Sequence, residues 1–89
     1  MMQERLANKL NEALHPLSLI IEDESNLHFG HAGYRPEGET HFKVTLVSDQ
    51  FSGMERIARH RLVHQILKEE LQTIHALVLI LKSPEEINY

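Results

Sequence analysis

The chain predicts an α+β fold: a three-stranded mixed sheet with helices packed on it, in the order α-β-β-α(α)-β-α. Three observations predict it. Two short segments alternate apolar and polar residues with the period of a strand, and two longer ones repeat apolar residues at the spacing of a helix. The stretch between the second and third strands is long enough to hold a helix, which allows the right-handed crossover that sets two strands parallel.

The first helix runs from about Gln3 to Leu14, with Leu6, Leu10, Ala13 and Leu14 on one side and Glu4, Arg5, Lys9 and Glu12 elsewhere. Pro16 ends it, because the residue before a proline is turned away from helical backbone. Leu17, Leu19 and Ile21 then alternate with Ser18, Ile20 and Glu22 as a strand with one well-buried face. From about Ser25 to Glu39 the residues Gly30, Gly33, Pro36 and Gly38 predict an irregular loop, which carries His28 and His31. Phe42, Val44 and Leu46 alternate with His41, Lys43 and Thr45 in a second strand that pairs antiparallel with the first across that loop. His41 is expected to point away from the main core and to be structural.

A helix is expected to start at Ser52, which has capping-box spacing to Glu55, and to continue through Met54, Ala58, Leu62 and Ile66 to about Leu71. It is read as one bent helix or as a short helix followed by a longer one. Ile74 to Leu81 is apolar on both faces, as a strand is when covered on both sides or set beside a parallel neighbour. Ser83 and Glu86 flank a first-turn proline, Pro84, and start a last short helix. No internal repeat or second domain is visible, so the reading is a single domain over residues 1–89.

A chain of 89 residues buries only ~60 to 65% of the surface it exposes unfolded, which makes a deep cleft unexpected. Hydrophobic content of 42% and a charged fraction of 25% are those of a globular domain. The apolar runs Leu17 to Ile21 and Ala76 to Leu81 fall well short of the ~20 residues of a membrane span, and the N-terminus is polar, so a cytoplasmic protein is expected. The absence of cysteine excludes disulfides, thiolate metal sites and thiol nucleophiles supplied by this chain. A formal charge of -4 argues against general affinity for phosphate backbones. Seven histidines make imidazole the chemistry to follow.

Several segments together resemble the BolA family. They are Asp23-Glu24-Ser25, Glu39-Thr40-His41-Phe42-Lys43-Val44, Val47-Ser48-Asp49-Gln50-Phe51-Ser52-Gly53, Arg59-His60-Arg61-Leu62-Val63, and the Leu71 to Leu77 stretch with His75-Ala76-Leu77. The likeness covers nearly the whole chain. It implies a fold similar to the class II KH domain, and a heterocomplex with a monothiol glutaredoxin that holds a bridging 2Fe-2S cluster. The implied ligands on this side are the C-terminal histidine, His75, and a loop histidine, best matched by His28 with His31 as the alternative. Glutathione and the glutaredoxin would complete the cluster, and the chain alone would hold none. When free, it is expected to be a monomer or weak homodimer.

Taken without the resemblance, His75 reads as a structural histidine at a strand end, and His28 and His31 as solvated loop residues. The four ligands that such a cluster requires agree with a shared site, since this chain contributes only imidazoles. His60 and His64 lie one helical turn apart, but Arg61 follows the first of them where a zinc protease has its glutamate base. Arg56, Arg59, His60, Arg61 and Lys68 give the helix positive charge. That suits a solvated helix or, as the alternative function, a helix-turn-helix-like DNA contact. The acidic whole and the absence of a convincing Gly-x-x-Gly clamp of the KH type between helices weigh against nucleic acid. No nucleophile, base and orienting group can be assembled, so no enzyme is expected.

Overall fold

The computed structural model describes residues 1–25 and 40–87. Helix α1 spans Met2–Leu14, strand β1 Ser18–Asp23, strand β2 His41–Val47, helix α2 Arg56–Ile66 and strand β3 Ala76–Lys82. Single 3-10 turns stand at Asp49–Phe51, Glu70–Gln72 and Pro84–Glu86. The sheet order is β1-β2-β3, with β1 and β2 antiparallel and β2 and β3 parallel. The predicted mixed three-stranded sheet is therefore present. The predicted loop with His28 and His31 lies outside the described residues, apart from its first residue, Ser25.

Helix α1 buries Met2, Leu6, Leu10 and Leu14, spaced by four so that they line one stripe. His15 closes it in the left-handed region with φ 44°, its N–H donating to Asn11 O at 3.0 Å. That stripe meets Phe42, Val44 and Leu46 of β2, Val63 of α2, and Phe51, Leu67, Leu79 and Leu81 in one core. Burying these side chains is the main stabilising contribution, at roughly 25 cal/mol per Å² of apolar area. The central strand alternates as expected, every second residue entering the core.

Two expectations are corrected. Helix α2 starts at Arg56, not at Ser52, and Glu55 at its N-cap makes no side-chain cap. Ser48 caps the turn at Asp49–Phe51 by accepting Gln50 N–H, and Gly53 at φ 79° takes left-handed backbone that a helix cannot contain. Ser52 instead donates its hydroxyl to Glu85 at 2.8 Å. At the other end the helix stops at Ile66, and a separate turn follows at Glu70–Gln72, so the longer piece comes first. Glu70 is drawn fully inward, where Arg5 reaches its Oε2 at 2.9 Å and Lys9 its Oε1 at 3.0 Å.

Strand β3 follows the second of its two readings. It lies beside a parallel neighbour, as one reading allowed, but at the sheet's edge, and Val78 is 52% exposed on the face away from the helices. Ile20 of β1 shares that face at 53% exposure. The last expected helix is the single turn Pro84–Glu86, and its capping box forms as read, between Ser83 and Glu86.

Candidate functional site

The parallel pairing of β2 with β3 sets His41 opposite Ala76, and so brings His75, one residue earlier, to the start of β2. The ring of His75 lies 4.9 Å from that of His41, centroid to centroid and tilted by 49°. The main chain of His75 is held there, its N–H donating to Thr40 O at 2.7 Å, and the following Ala76 N–H shares that acceptor at 3.1 Å. The His75 side chain itself is exposed. The site thus has an anchored root and an accessible imidazole.

His41 points away from the main core, as expected. Alternation does turn it from Phe42, yet it is only 4% exposed, packed against His75 and Thr40. Its Nδ1 lies 2.7 Å from Thr40 Oγ1. Thr40 in turn donates its hydroxyl to Ser25 Oγ at 3.0 Å and its N–H to the same oxygen at 2.9 Å. Ser25 donates both its hydroxyl, at 2.5 Å, and its N–H, at 3.0 Å, to Asp23 Oδ1. Sequence reasoning missed this chain. Its signal was present as Asp23-x-Ser25 before the loop and Thr40-His41 after it, which the antiparallel register of β1 and β2 brings side by side.

His28 and His31 lie outside the described residues. Among the described residues no group of three or more His, Cys, Asp and Glu side chains stands together as a metal-binding set. An exposed imidazole with an anchored main chain suits one ligand position of a metal group completed from elsewhere.

The basic residues of α2, with Lys68 two residues beyond its end, divide. Arg56, Arg61, His64 and Lys68 are exposed, and His60 is half-buried with Nδ1 3.0 Å from Arg56 O. Arg56 and His60 line a cavity of about 250 Å³ with Leu79, Ile80, Leu81 and Lys82 of β3. Arg59 does not join them, which corrects its place among the expected DNA contacts. It is 7% exposed, donates to Met54 O and Leu81 O, pairs with Glu86, and lies 5.7 Å over the Phe51 ring.

A three-stranded mixed sheet backed by two helices, with a histidine pair where the parallel strands begin, is an architecture that comparison with known proteins places directly. The BolA-like family model matches residues 10–86, and the chain belongs to that family. Chloroplastic BOLA1 of Arabidopsis thaliana is 49% identical over 85 residues, covering 92% of this chain and 53% of that protein. The DNA-binding transcriptional regulator BolA of Escherichia coli is 46% identical over 80 residues, covering 89% and 72%. The solved structure of Arabidopsis BolA1 superposes with a TM-score of 0.85 at 40% identity, covering 99% of this chain and 98% of that one. The BolA domain of Arabidopsis SufE1 gives 0.83 at 41%, covering 94% and 93%. The chain spans about half the length of the chloroplastic BOLA1 and 24% of a SufE-like relative. No helix among the described residues is long and apolar enough to cross a membrane.

Proposed function

We propose that this chain is a cytoplasmic, non-enzymatic BolA-like accessory protein that joins a monothiol glutaredoxin and contributes imidazole ligation to a bridging 2Fe-2S cluster. Its place is in cluster trafficking or in iron and redox regulation. The observation that carries the reading is the placement of His75, whose main chain is tied to Thr40 at 2.7 Å while its side chain stays exposed beside His41. A side chain held at its root and open at its tip can meet a partner's metal group with little ordering cost. His28, or His31 in its place, supplies the second imidazole. Sulfur ligands come from the glutaredoxin and glutathione, because this chain has no cysteine. Imidazole in place of thiolate makes such a cluster less negative and raises its reduction potential.

The test is to mix the chain with a monothiol glutaredoxin, iron, sulfide and glutathione, isolate the complex, and record its visible circular dichroism beside that of the glutaredoxin alone. A distinct spectrum on a one-to-one heterocomplex is expected. A spectrum identical to that of the glutaredoxin alone overturns the reading.

A second reading is DNA-binding regulation through α2. It is favoured by the exposure of Arg56, Arg61 and Lys68 beside His60, and by the name carried by the Escherichia coli relative. The net charge of -4 ranks it second.

A further inference from the structure

The hydrogen bonds from Asp23 to His41 have a direction that can be counted proton by proton. A carboxylate only accepts, so the Ser25 hydroxyl, 2.5 Å from Asp23 Oδ1, directs its one proton there. Ser25 Oγ is then an acceptor, and it receives the Thr40 N–H at 2.9 Å and, more distantly, the His41 N–H at 3.3 Å. The Thr40 hydroxyl oxygen lies 3.0 Å from the same Ser25 oxygen. Two hydroxyl oxygens that close need a proton between them, and Thr40 holds the one that remains. Thr40 Oγ1 therefore presents lone pairs to His41 Nδ1 at 2.7 Å, and that nitrogen must carry the hydrogen. Ser25 is 2% and Thr40 0% exposed, so water does not compete for these groups.

We infer that the Asp23–Ser25–Thr40 chain holds neutral His41 in the Nδ1–H tautomer, with its lone pair on Nε2, and that Thr40 is thereby a positioning residue for the His41–His75 pair. The reverse tautomer would turn the Thr40 proton toward His41 and leave two buried oxygens facing each other with lone pairs alone, an arrangement buried polar groups avoid. The consequence is chemical. A ring that carries its lone pair on Nε2 suits a proton donor or a borderline metal ion, not an anion. This ring packs 4.9 Å from His75.

The tautomer is read on the uniformly 15N-labelled chain alone, at about pH 8 where an ordinary imidazole is neutral, from two-bond proton–nitrogen correlations. His41 is expected to show a protonated Nδ1 and an unprotonated Nε2. Ser25→Ala frees the Thr40 hydroxyl to turn toward Nδ1 and should move His41 toward the Nε2–H form. Thr40→Val should lose the preference, and Thr40→Ser should restore it. A wild-type Nε2–H tautomer, or an unchanged tautomer in both Ser25→Ala and Thr40→Val, would overturn the inference. The claim that Thr40 acts on the pair rests on the proposed cluster reading and is tested in the heterocomplex. There Thr40→Val should alter the visible circular dichroism and Thr40→Ser should not, and an unaltered Thr40→Val spectrum removes the positioning role. Because the tautomer is measured without any partner, failure of the cluster reading leaves it standing, and its failure leaves the cluster reading standing.

Discussion

Arg59 reaches from α2 to Glu86 just beyond β3, its Nη1 2.6 Å from Oε1 and its Nη2 3.3 Å from Oε2. The Arg59 hydrogen bond, with that from Ser83 N–H, holds the Glu86 carboxyl at about 2, well below the usual carboxylate range. A folded value below the unfolded one means the contribution is present at neutral pH and fades as pH falls through the ordinary carboxylate range toward about 2. Glu86→Gln should therefore lower the thermal midpoint at neutral pH, with the difference from wild type shrinking to nothing as that acid limit is approached. Thermal unfolding across the pH range checks it, and a gap that stays constant on acidification would contradict the assignment.

In the proposed heterocomplex with glutaredoxin, His75→Ala should abolish the expected distinctive spectrum while the free chain keeps its fold, since the side chain is exposed. His28→Ala should weaken or shift the spectrum, and the double variant with His31→Ala should lose more than either alone. Circular dichroism at equal iron, with electron paramagnetic resonance after reduction, distinguishes these. A wild-type spectrum from His75→Ala would refute the ligand assignment.

Leu10 is fully buried in the core and Ile20 is 53% exposed on the open face of the sheet. Leu10→Ala should cost about 2–5 kcal/mol by leaving a cavity, whereas Ile20→Ala should stay within about 0.5 kcal/mol. Urea unfolding with a common slope measures both, and near-equal losses would show that the sheet's second face is covered in solution.

Glu70 is buried between Arg5 and Lys9. Burial pushes its carboxyl up, but the Lys9 ammonium at 3.0 Å, a main-chain hydrogen bond and the Arg5 hydrogen bond outweigh this and bring it below the usual range. Arg5→Met with Lys9→Met would leave a buried charge unpaired and should cost about 3 kcal/mol or more. Glu70→Gln removes the buried charge itself and should cost less, about 1 kcal/mol. The reverse order in chemical denaturation would refute this account of the turn at Glu70–Gln72.

DNA binding, if measured by fluorescence anisotropy, should be weak and should fall steeply with salt, and Arg61→Ala with Lys68→Ala should reduce the salt slope. Arg59→Ala should instead lower stability, because its guanidinium lies inside the fold. Tight, sequence-specific binding at physiological salt would reverse the order of the two functional readings.

The local periods of this sequence determined a great deal. Leu6, Leu10 and Leu14 recur at helical spacing, and Phe42, Val44 and Leu46 at strand spacing, so the elements, their order and the buried stripe of each were legible. His75 stood out only through the resemblance to the BolA family, since its own surroundings read as an ordinary strand end. What the periods could not carry was any relation between residues distant in the chain. Ser52 looked like a helix cap because spacing to Glu55 is local information, and only the arrival of Glu85 and the left-handed Gly53 redirected it. Arg59 read as surface charge because nothing nearby announced Glu86 as its counterpart. His41 read as a structural residue turned away from the core, but strand alternation assigns a face and not what covers it, so its burial against His75 was not legible. Antiparallel pairing laid Asp23 and Ser25 beside Thr40, and parallel pairing brought His75 onto the His41 ring, so the chain of protons ending at that pair exists only in three dimensions.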